Sequence, residues 1–251
     1  MSAVRYLAAI AAITVGLGTV EARATVIDFE NVDTTNAPFN GLITGGDYVT
    51  QNGYYFQGLE YEGATGTLVG ALFNGADSSS CLSDQCPRGN ATNYIGALND
   101  GIIAFGRSDG GQTTLLGFDA AFLASPDANP IDVPGLLAIQ TNFADGGNSV
   151  VYYQLGAIGT GGKTSFNSYR APTLQAATSF YAFGLRCDTA GYCKPFATNE
   201  GQFAFDNIRF DDTAVAAVPE PATWAMMLAG FSMIGFASRR RSNVRTTIVH
   251  A

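Results

Sequence analysis

The sequence predicts an all-β protein, an antiparallel β-sandwich of jelly-roll-like form, and three observations support this. The central part of the chain alternates short apolar runs with turn signals, in a sequence that contains 30 Gly, 17 Phe and 11 Tyr. It contains no long segment with helical periodicity. Eight or nine candidate strands fall within about 190 residues, which is typical of two packed antiparallel sheets.

The candidate strands are short and lie between clear turn sequences. They cover residues 25–30, 53–60, 67–73, 101–105, 114–123, 136–143, 149–155, 179–186 and 202–210. In the last of them, alternation predicts Ile208 and Phe210 on one face and Phe203 and Phe205 on the other. A strand that is apolar on both faces is expected to be buried on both sides or to lie near a sheet edge against another element.

The first 24 residues have the features of a secretory signal peptide, predicted as an N-terminal helix. Arg5 supplies positive charge, residues 7–20 form an apolar run, and residues 22–24 are Ala-Arg-Ala, a small-x-small cleavage pattern. We therefore expect export through the secretion translocon and cleavage by signal peptidase before Thr25. The alternative is an uncleaved membrane anchor, but the apolar run is short for a span of about 20 residues.

The body of the chain is acidic. Residues 25–217 contain 7 Lys and Arg against 19 Asp and Glu, a net charge of −12. This balance argues against nucleic-acid binding, which needs a basic face to displace counterions. It suits a soluble extracellular domain, or one that binds divalent cations.

The four cysteines form two pairs that are close in sequence, Cys81 with Cys86 and Cys187 with Cys193. Because export leads to an oxidising compartment, we expect two local disulfides. The alternatives are the two other disulfide pairings, or a zinc site that uses all four thiolates. The sequence lacks the C-x2-C spacing, which favours the disulfides. Each would close a small loop, so the expected gain is local rigidity.

After the predicted domain of residues 25–213, the pattern changes. Residues 214–217 form a predicted linker, and residues 219–225 are Pro-Glu-Pro-Ala-Thr-Trp-Ala. An apolar stretch of 17 residues, 222–238, precedes three arginines at 239–241. Seventeen residues is the lower limit for a transmembrane helix. The basic end predicts that the chain after this helix is cytoplasmic.

This ending resembles the PEP-CTERM sorting signal of Gram-negative bacteria, which we place at residues 218–241. The residues that carry the resemblance are Pro219, Glu220, Pro221, Trp224, Ala225, Arg239, Arg240 and Arg241. The resemblance implies recognition and cleavage by an exosortase, a membrane-embedded cysteine transpeptidase, and a link to exopolysaccharide. It also implies an inner-membrane intermediate, followed by delivery to the cell surface or the extracellular space. The alternative is an ordinary tail anchor that is never cleaved.

The residue types fit this role physically. The arginines act as a stop-transfer signal while the apolar helix lies in the membrane. Two prolines keep the segment between them extended, where a protease can bind it. Residues 242–251 form a predicted cytoplasmic tail, and this is a departure, because family members usually end soon after the basic cluster.

The first and last predicted strands, at residues 26–30 and 203–210, resemble those of jelly-roll carbohydrate-binding modules. In such modules a structural calcium ion often joins the two strands. Asp28, Glu30 and Asp206 occupy the matching positions, with Asn207 as a further candidate, and carboxylate oxygens suit Ca²⁺. The alternative is that Asp28 and Asp206 hydrogen-bond turn backbones or face water.

We predict a non-enzymatic protein of the cell envelope or extracellular matrix, associated with exopolysaccharide or surface structure. The single histidine, His250, lies beyond the sorting motif, which excludes Ser-His-Asp and Cys-His catalysis in the mature domain. The least supported hypothesis is a glycan-active hydrolase that uses Glu60 and Glu62 as paired carboxylates. A solvated sheet edge explains these two residues better.

The second function hypothesis is a carbohydrate-binding module. Tyr48, Tyr61 and the tyrosine pairs at 54–55 and 152–153 are available to stack on sugar rings. Adjacent residues of a strand point to opposite faces, so one tyrosine of each pair is expected in the core.

Overall fold

The computed structural model describes residues 24–61, 66–81, 86–123, 135–156, 164–172, 175–197, 200–212 and 231–232. The predicted signal helix up to residue 23, the linker, the cytoplasmic tail and nearly all of the sorting signal lie outside these residues. No helix within the described ranges has the length and apolar character that a membrane span requires.

Fourteen β-strands and one 3-10 turn, Ser78–Ser80, make up the regular structure of these residues. The first seven strands are β1 (Ala24–Ile27), β2 (Leu42–Thr44), β3 (Tyr48–Gln51), β4 (Tyr54–Leu59), β5 (Leu68–Asn74), β6 (Asn93–Ala97) and β7 (Ile102–Arg107). The others are β8 (Thr114–Phe122), β9 (Leu136–Asn142), β10 (Asn148–Gln154), β11 (Asn167–Arg170), β12 (Ser179–Cys187), β13 (Cys193–Pro195) and β14 (Phe203–Asp211).

The strands form two sheets of seven strands each. Sheet A has the order β11-β8-β14-β6-β5-β2, and β1 also pairs with β14. Sheet B has the order β10-β9-β12-β7-β4-β3, and β13 also pairs with β12. The strand pairs are antiparallel, including the pair formed by the first and last strands, where Ile27 lies opposite Ile208. The predicted antiparallel two-sheet sandwich is therefore confirmed.

The core lies between the sheets and is rich in aromatic rings. Phe105 of sheet B contacts Phe205 of sheet A, with ring centroids 5.6 Å apart. Tyr54 of sheet B stacks on Phe210 of sheet A at 4.1 Å. These rings are fully or almost fully buried, so each contributes apolar area removed from water as well as a preferred ring geometry.

All nine predicted strands are present, and five further strands were missed. The missed strands β2, β3, β6, β11 and β13 have only three to five residues each, too few to show a clear apolar alternation. The first strand is also shorter than predicted. It ends at Ile27, and Phe29 has a positive φ of 55°, which does not continue a strand.

The prediction for the two faces of the last strand is wrong. Phe203, Phe205, Ile208 and Phe210 all lie in the core between the sheets. The reason is a bulge at Asn207, where the register with β8 shifts between Asp206 and Arg209 and φ is 46°. One extra residue reverses the alternation, so residues of opposite parity share a face.

Both local disulfides are present, Cys81–Cys86 and Cys187–Cys193. The first lies in a small second apolar cluster with Phe73, Tyr94 and Leu123. The second closes the hairpin between β12 and β13, where Cys187 and Cys193 are directly opposite each other.

Candidate functional site

Sheet B has an outer face that carries tyrosine and amide side chains. In β4, Tyr54 and Phe56 are buried in the core, so Tyr55 and Gln57 point away from it. The same alternation applies to β3, β9 and β12. We call the set the outer face of sheet B. Its polar and aromatic residues are Tyr48, Thr50, Tyr55, Gln57, Gln140, Asn142, Ser179 and Tyr181.

Strand pairing arranges these residues in two rows that cross the sheet. The first row, in order of neighbouring strands, is Tyr48, Gln57, Ala104, Tyr181 and Gln140. The second row is Thr50, Tyr55, Gly106, Ser179 and Asn142. Five strands at a spacing of about 4.8 Å give each row a length of roughly 19 Å. Each row therefore offers hydrogen-bonding groups along an extended line.

A groove of about 480 Å³ lies at one end of this face. It is lined by Asn36, Tyr48, Thr50, Tyr55, Gln57 and Ser108. The segment before β2 forms its side wall, because the backbone N–H of Asp33 donates to the Thr50 carbonyl at 2.8 Å. Tyr48 N–H also donates to the Asn36 carbonyl at 3.3 Å. This segment covers the edge of β3 and fixes the groove in place.

Small residues of β7 lie opposite Tyr55 and Tyr181 on the outer face of sheet B. A Cβ atom at Gly106 would lie 3.4 Å from Cε1 of Tyr55, so the ring lies against the Gly106 backbone. Ala104, which pairs with Tyr181, is only 4% exposed. Burial raises the pKa of Tyr55, and the nearby Tyr181 hydroxyl raises it further. Tyr55 therefore stays protonated at neutral pH.

The amide side chains of the outer face are held by hydrogen bonds. Gln140 Nε2 donates to Asn142 Oδ1 at 2.9 Å, and Asn142 Nδ2 donates to Ser179 Oγ at 3.1 Å. Gln57 Nε2 donates to the Gly46 carbonyl at 3.0 Å. An amide has two donors and an acceptor oxygen, so one fixed bond orients the group and leaves positions that a ligand hydroxyl can use.

The predicted division of the tyrosine pairs is confirmed. Tyr54 lies in the core and Tyr55 on the outer face. Tyr152 is 58% exposed, whereas Tyr153 packs against Phe118 with ring centroids 4.9 Å apart. Sequence reasoning missed Tyr181, Gln140 and Asn142 as members of the face. These residues occupy alternate positions of predicted strands, on the face that points away from the core, and this alternation could have identified them.

The predicted calcium ligands lie around a gap in sheet A. β8 pairs along one edge of β14, so β1 and β6 share the other edge and leave a gap opposite the bulge. Asp28 Oδ1 accepts from Gln51 Nε2 at 2.6 Å and from the Glu30 N–H at 3.2 Å. Glu30 Oε1 accepts from the Asn93 N–H at 2.7 Å. Within the described ranges, no three acidic, cysteine or histidine side chains converge as a metal-binding group.

Asp206, the third predicted ligand, is fully buried beside this gap. Its Oδ2 accepts from Asn90 Nδ2 at 2.6 Å and Thr92 Oγ1 at 3.2 Å, and its Oδ1 accepts from the Asn207 N–H at 2.7 Å. Burial raises the pKa of Asp206 to about 6 although these hydrogen bonds lower it, and the charge of Asp119 adds to the rise. A calcium site here stays a prediction.

The paired carboxylates of the hydrolase hypothesis stay a prediction, because the structure describes only one of the two residues. Glu60 Oε1 accepts a hydrogen bond from the Thr67 N–H at 2.7 Å, just before β5. Glu62 lies outside the described residues.

These features define an all-β sandwich with a tyrosine and amide outer face. Residues 217–241 match the family model of the PEP-CTERM protein-sorting motif. The motif implies a secreted protein that is targeted to an exosortase and reaches the cell surface through a membrane-anchored intermediate.

Several solved structures are similar to this sandwich. A family 29 carbohydrate-binding module is 12% identical over 78% of this chain and 99% of its own, with a TM-score of 0.35. TmCBM61, solved in complex with β-1,4-galactotriose, is 10% identical over 63% of this chain and 88% of its own, with a TM-score of 0.30. The enzymatically active domain of bacteriophage CBA120 tailspike protein 4 is 14% identical over 64% and 19%, with a TM-score of 0.29. Likeness at this level carries no conclusion about function. None of the curated proteins matches the chain.

Proposed function

We propose that this protein is a non-enzymatic component of the cell envelope whose jelly-roll-like sandwich binds glycan chains through the outer face of sheet B. One observation carries the proposal: Tyr55, whose ring lies against Gly106, and Tyr181, which lies opposite the buried Ala104, share the outer face of sheet B. They offer aromatic surface that is already ordered before a ligand binds. Preorganised groups of this kind lose little entropy on binding.

The chemistry of the face fits sugars. A sugar ring has an apolar face of C–H groups, which can stack on an aromatic ring, and a rim of hydroxyls, which both donate and accept hydrogen bonds. Gln57, Gln140 and Asn142 present amides along the same rows, and each is oriented by a hydrogen bond. Amide groups match hydroxyls because both donate and accept.

The sorting motif supports the location of this binding. We propose that an exosortase recognises Pro219, Glu220 and Pro221 and cleaves the chain there, after the apolar segment has held it in the inner membrane of a Gram-negative cell. The sandwich would then be released at the cell surface, where exopolysaccharide is the glycan available for binding. Trp224 acts as an interfacial anchor in this proposal.

A glycan array probed with the purified protein tests the binding proposal. The wild type is expected to bind a defined set of glycans, and Tyr55→Ala and Tyr181→Ala are expected to lower the affinity for them roughly tenfold, equivalent to about 1.4 kcal/mol. Tyr192→Ala is the matched control, because Tyr192 is 72% exposed in the hairpin between β12 and β13. Absence of binding above background, or equal losses in all three variants, would overturn the proposal.

Processing has a separate test. Mass spectrometry of the mature C-terminus should find a chain that ends near Glu220 in cells that contain the exosortase, and the uncleaved chain in cells that lack it. Glu220→Ala should give the uncleaved form in both. An unprocessed C-terminus in exosortase-containing cells would support the uncleaved tail anchor instead.

A further inference from the structure

A second aromatic pair lies at the other end of β4 from the groove. Tyr61 and Phe196 stack with ring centroids 4.2 Å apart and planes 9° from parallel. The ring centroid of Phe196 in turn lies 5.3 Å from that of Phe183. Phe183 is at a position of β12 that faces away from the core. Tyr61 nevertheless remains 62% exposed. One face of the Tyr61 ring is therefore covered by Phe196 and the opposite face is open.

The pair is held by features that restrict its movement. Phe196 directly follows β13, which is joined to β12 by the Cys187–Cys193 disulfide. Its φ of 55° lies in the left-handed region, where a bulky side chain is unfavourable. Such conformations persist where the surrounding structure enforces them, and they are concentrated at ligand-binding positions. The hairpin therefore keeps the Phe196 ring beneath Tyr61.

Tyr61 follows β4, a strand that also contributes residues to the groove. Tyr55, Gln57 and Leu59 have the same parity on β4 and lie on the outer face, and Tyr61 follows two residues later. At about 3.3 Å per residue, the strand places Leu59 roughly 13 Å from Tyr55, and Tyr61 lies in the turn just beyond the end of β4. An extended oligosaccharide that occupies the groove could reach Tyr61 along β4.

We propose that Tyr61, backed by Phe196, is a second sugar-stacking subsite that binds the distal rings of the same glycan chain. This inference rests on the proposed glycan binding and extends the binding face beyond the two rows, to the end of β4. Two linked subsites raise the affinity for long chains, since the second contact becomes intramolecular once the first is made. A ligand that is too short to reach Tyr61 gains nothing from it.

The test compares short and long ligands. The disaccharides and hexasaccharides of β-1,4-linked glucose, mannose and galactose are titrated calorimetrically against the purified protein. The wild type is expected to bind the hexasaccharide of its preferred series roughly tenfold more tightly than the disaccharide. Tyr61→Ala should abolish this gain and leave disaccharide binding unchanged. Tyr61→Phe, which retains the ring, should keep it.

The disulfide gives a second readout with a matched control. Replacing Cys187 and Cys193 by serine should lower hexasaccharide affinity while disaccharide affinity is retained, whereas the same change at Cys81 and Cys86 should affect neither. Retention of the full gain in Tyr61→Ala, or equal affinity of the wild type for both lengths, would overturn the second subsite and leave the proposed function standing. Failure of the wild type to bind any member of the three series, together with an empty array, would overturn both.

Discussion

The Tyr54 hydroxyl donates a hydrogen bond to the Asp212 carboxylate, which joins a core strand of sheet B to the end of the last strand of sheet A. Thr113 Oγ1 lies 2.8 Å from the same hydroxyl and donates to Asp212 Oδ1 at 3.0 Å. Thr25 Oγ1 donates to Asp212 Oδ2 at 2.9 Å, and Arg107 Nη1 lies 3.3 Å from Oδ1. The cluster fixes the beginning and the end of the sandwich to each other, next to the predicted linker.

Tyr54→Phe is expected to destabilise the fold by roughly 1.5–3 kcal/mol, the range for a hydrogen bond to a charged group. The phenyl ring can remain stacked on Phe210, so the change removes only the hydroxyl. Burial, together with the bond to Asp212, raises the pKa of Tyr54 well above its usual value, so the hydroxyl is a protonated donor at neutral pH. Urea unfolding measures the effect.

Tyr55→Phe is the control for that measurement, because its hydroxyl lies on the outer face of sheet B, and a change within about 0.5 kcal/mol is expected. If both variants lost the same stability, the Tyr54–Asp212 bond would contribute nothing of its own.

The buried Asp206 carboxyl is expected to make the free energy of unfolding decrease with rising pH in the presence of a chelator. Because burial raises its pKa to about 6 in the folded state, the folded protein binds the proton more tightly than the unfolded chain does. The stability from this group is therefore fully present below the unfolded pKa of about 3.9 and is lost as pH rises through 6. Over this window the free energy of unfolding should fall by roughly 2–3 kcal/mol as pH increases.

Thermal unfolding across pH 4–8 checks this expectation. Asp206→Asn should remove the slope, and Asp145→Asn, at an exposed turn, should retain it. A wild-type midpoint that does not decrease between pH 5 and pH 7 would show that the hydrogen bonds from Asn90 and Thr92 outweigh burial.

Calcium would reverse this trend if the predicted site at Asp28, Glu30 and Asp206 binds the ion. Calcium needs ionised carboxylates, so the stabilisation it provides should grow as pH rises above 6. At a hundred times the dissociation constant, the added stability would be about 2.7 kcal/mol. Thermal shift with calcium against chelator measures it, and no shift at pH 7.5 would rule the site out.

Much of the fold could be predicted because its longer strands are apolar runs between turn residues. The strands that were missed are held by pairing rather than by their own sequence, such as β11, which is mostly exposed and pairs with β8. The bulge at Asn207 was also missed. A single left-handed residue leaves no periodic signal, yet it decides which face Ile208 and Phe210 occupy.

The candidate site could be predicted only in part, for a related reason. Alternation along one strand separates Tyr55 from Tyr54, and this needs no tertiary information. The placement of Tyr55 and Tyr181 in neighbouring rows of one face depends on the register of β4, β7 and β12, which are far apart in the sequence. Gly106 and Ala104 lie opposite these tyrosines because of the same register. The sequence alone therefore does not indicate that either residue belongs to the site.

The left-handed backbone at the Asn207 bulge is expected to contribute to the stability of the fold. Asn207 has a φ of 46°, and its Nδ2 donates to Asp119 Oδ2 at 2.9 Å. Asn207→Gly keeps the backbone conformation and removes this bond, so a loss of about 1 kcal/mol is expected. Asn207→Val removes the bond and also places a β-branched residue in the left-handed region, so the loss should reach about 2–4 kcal/mol. The comparison of both variants by urea unfolding isolates the backbone contribution. Equal stability of the two would mean that the bulge does not require a left-handed residue, and that the shared face of Phe205 and Ile208 has another cause.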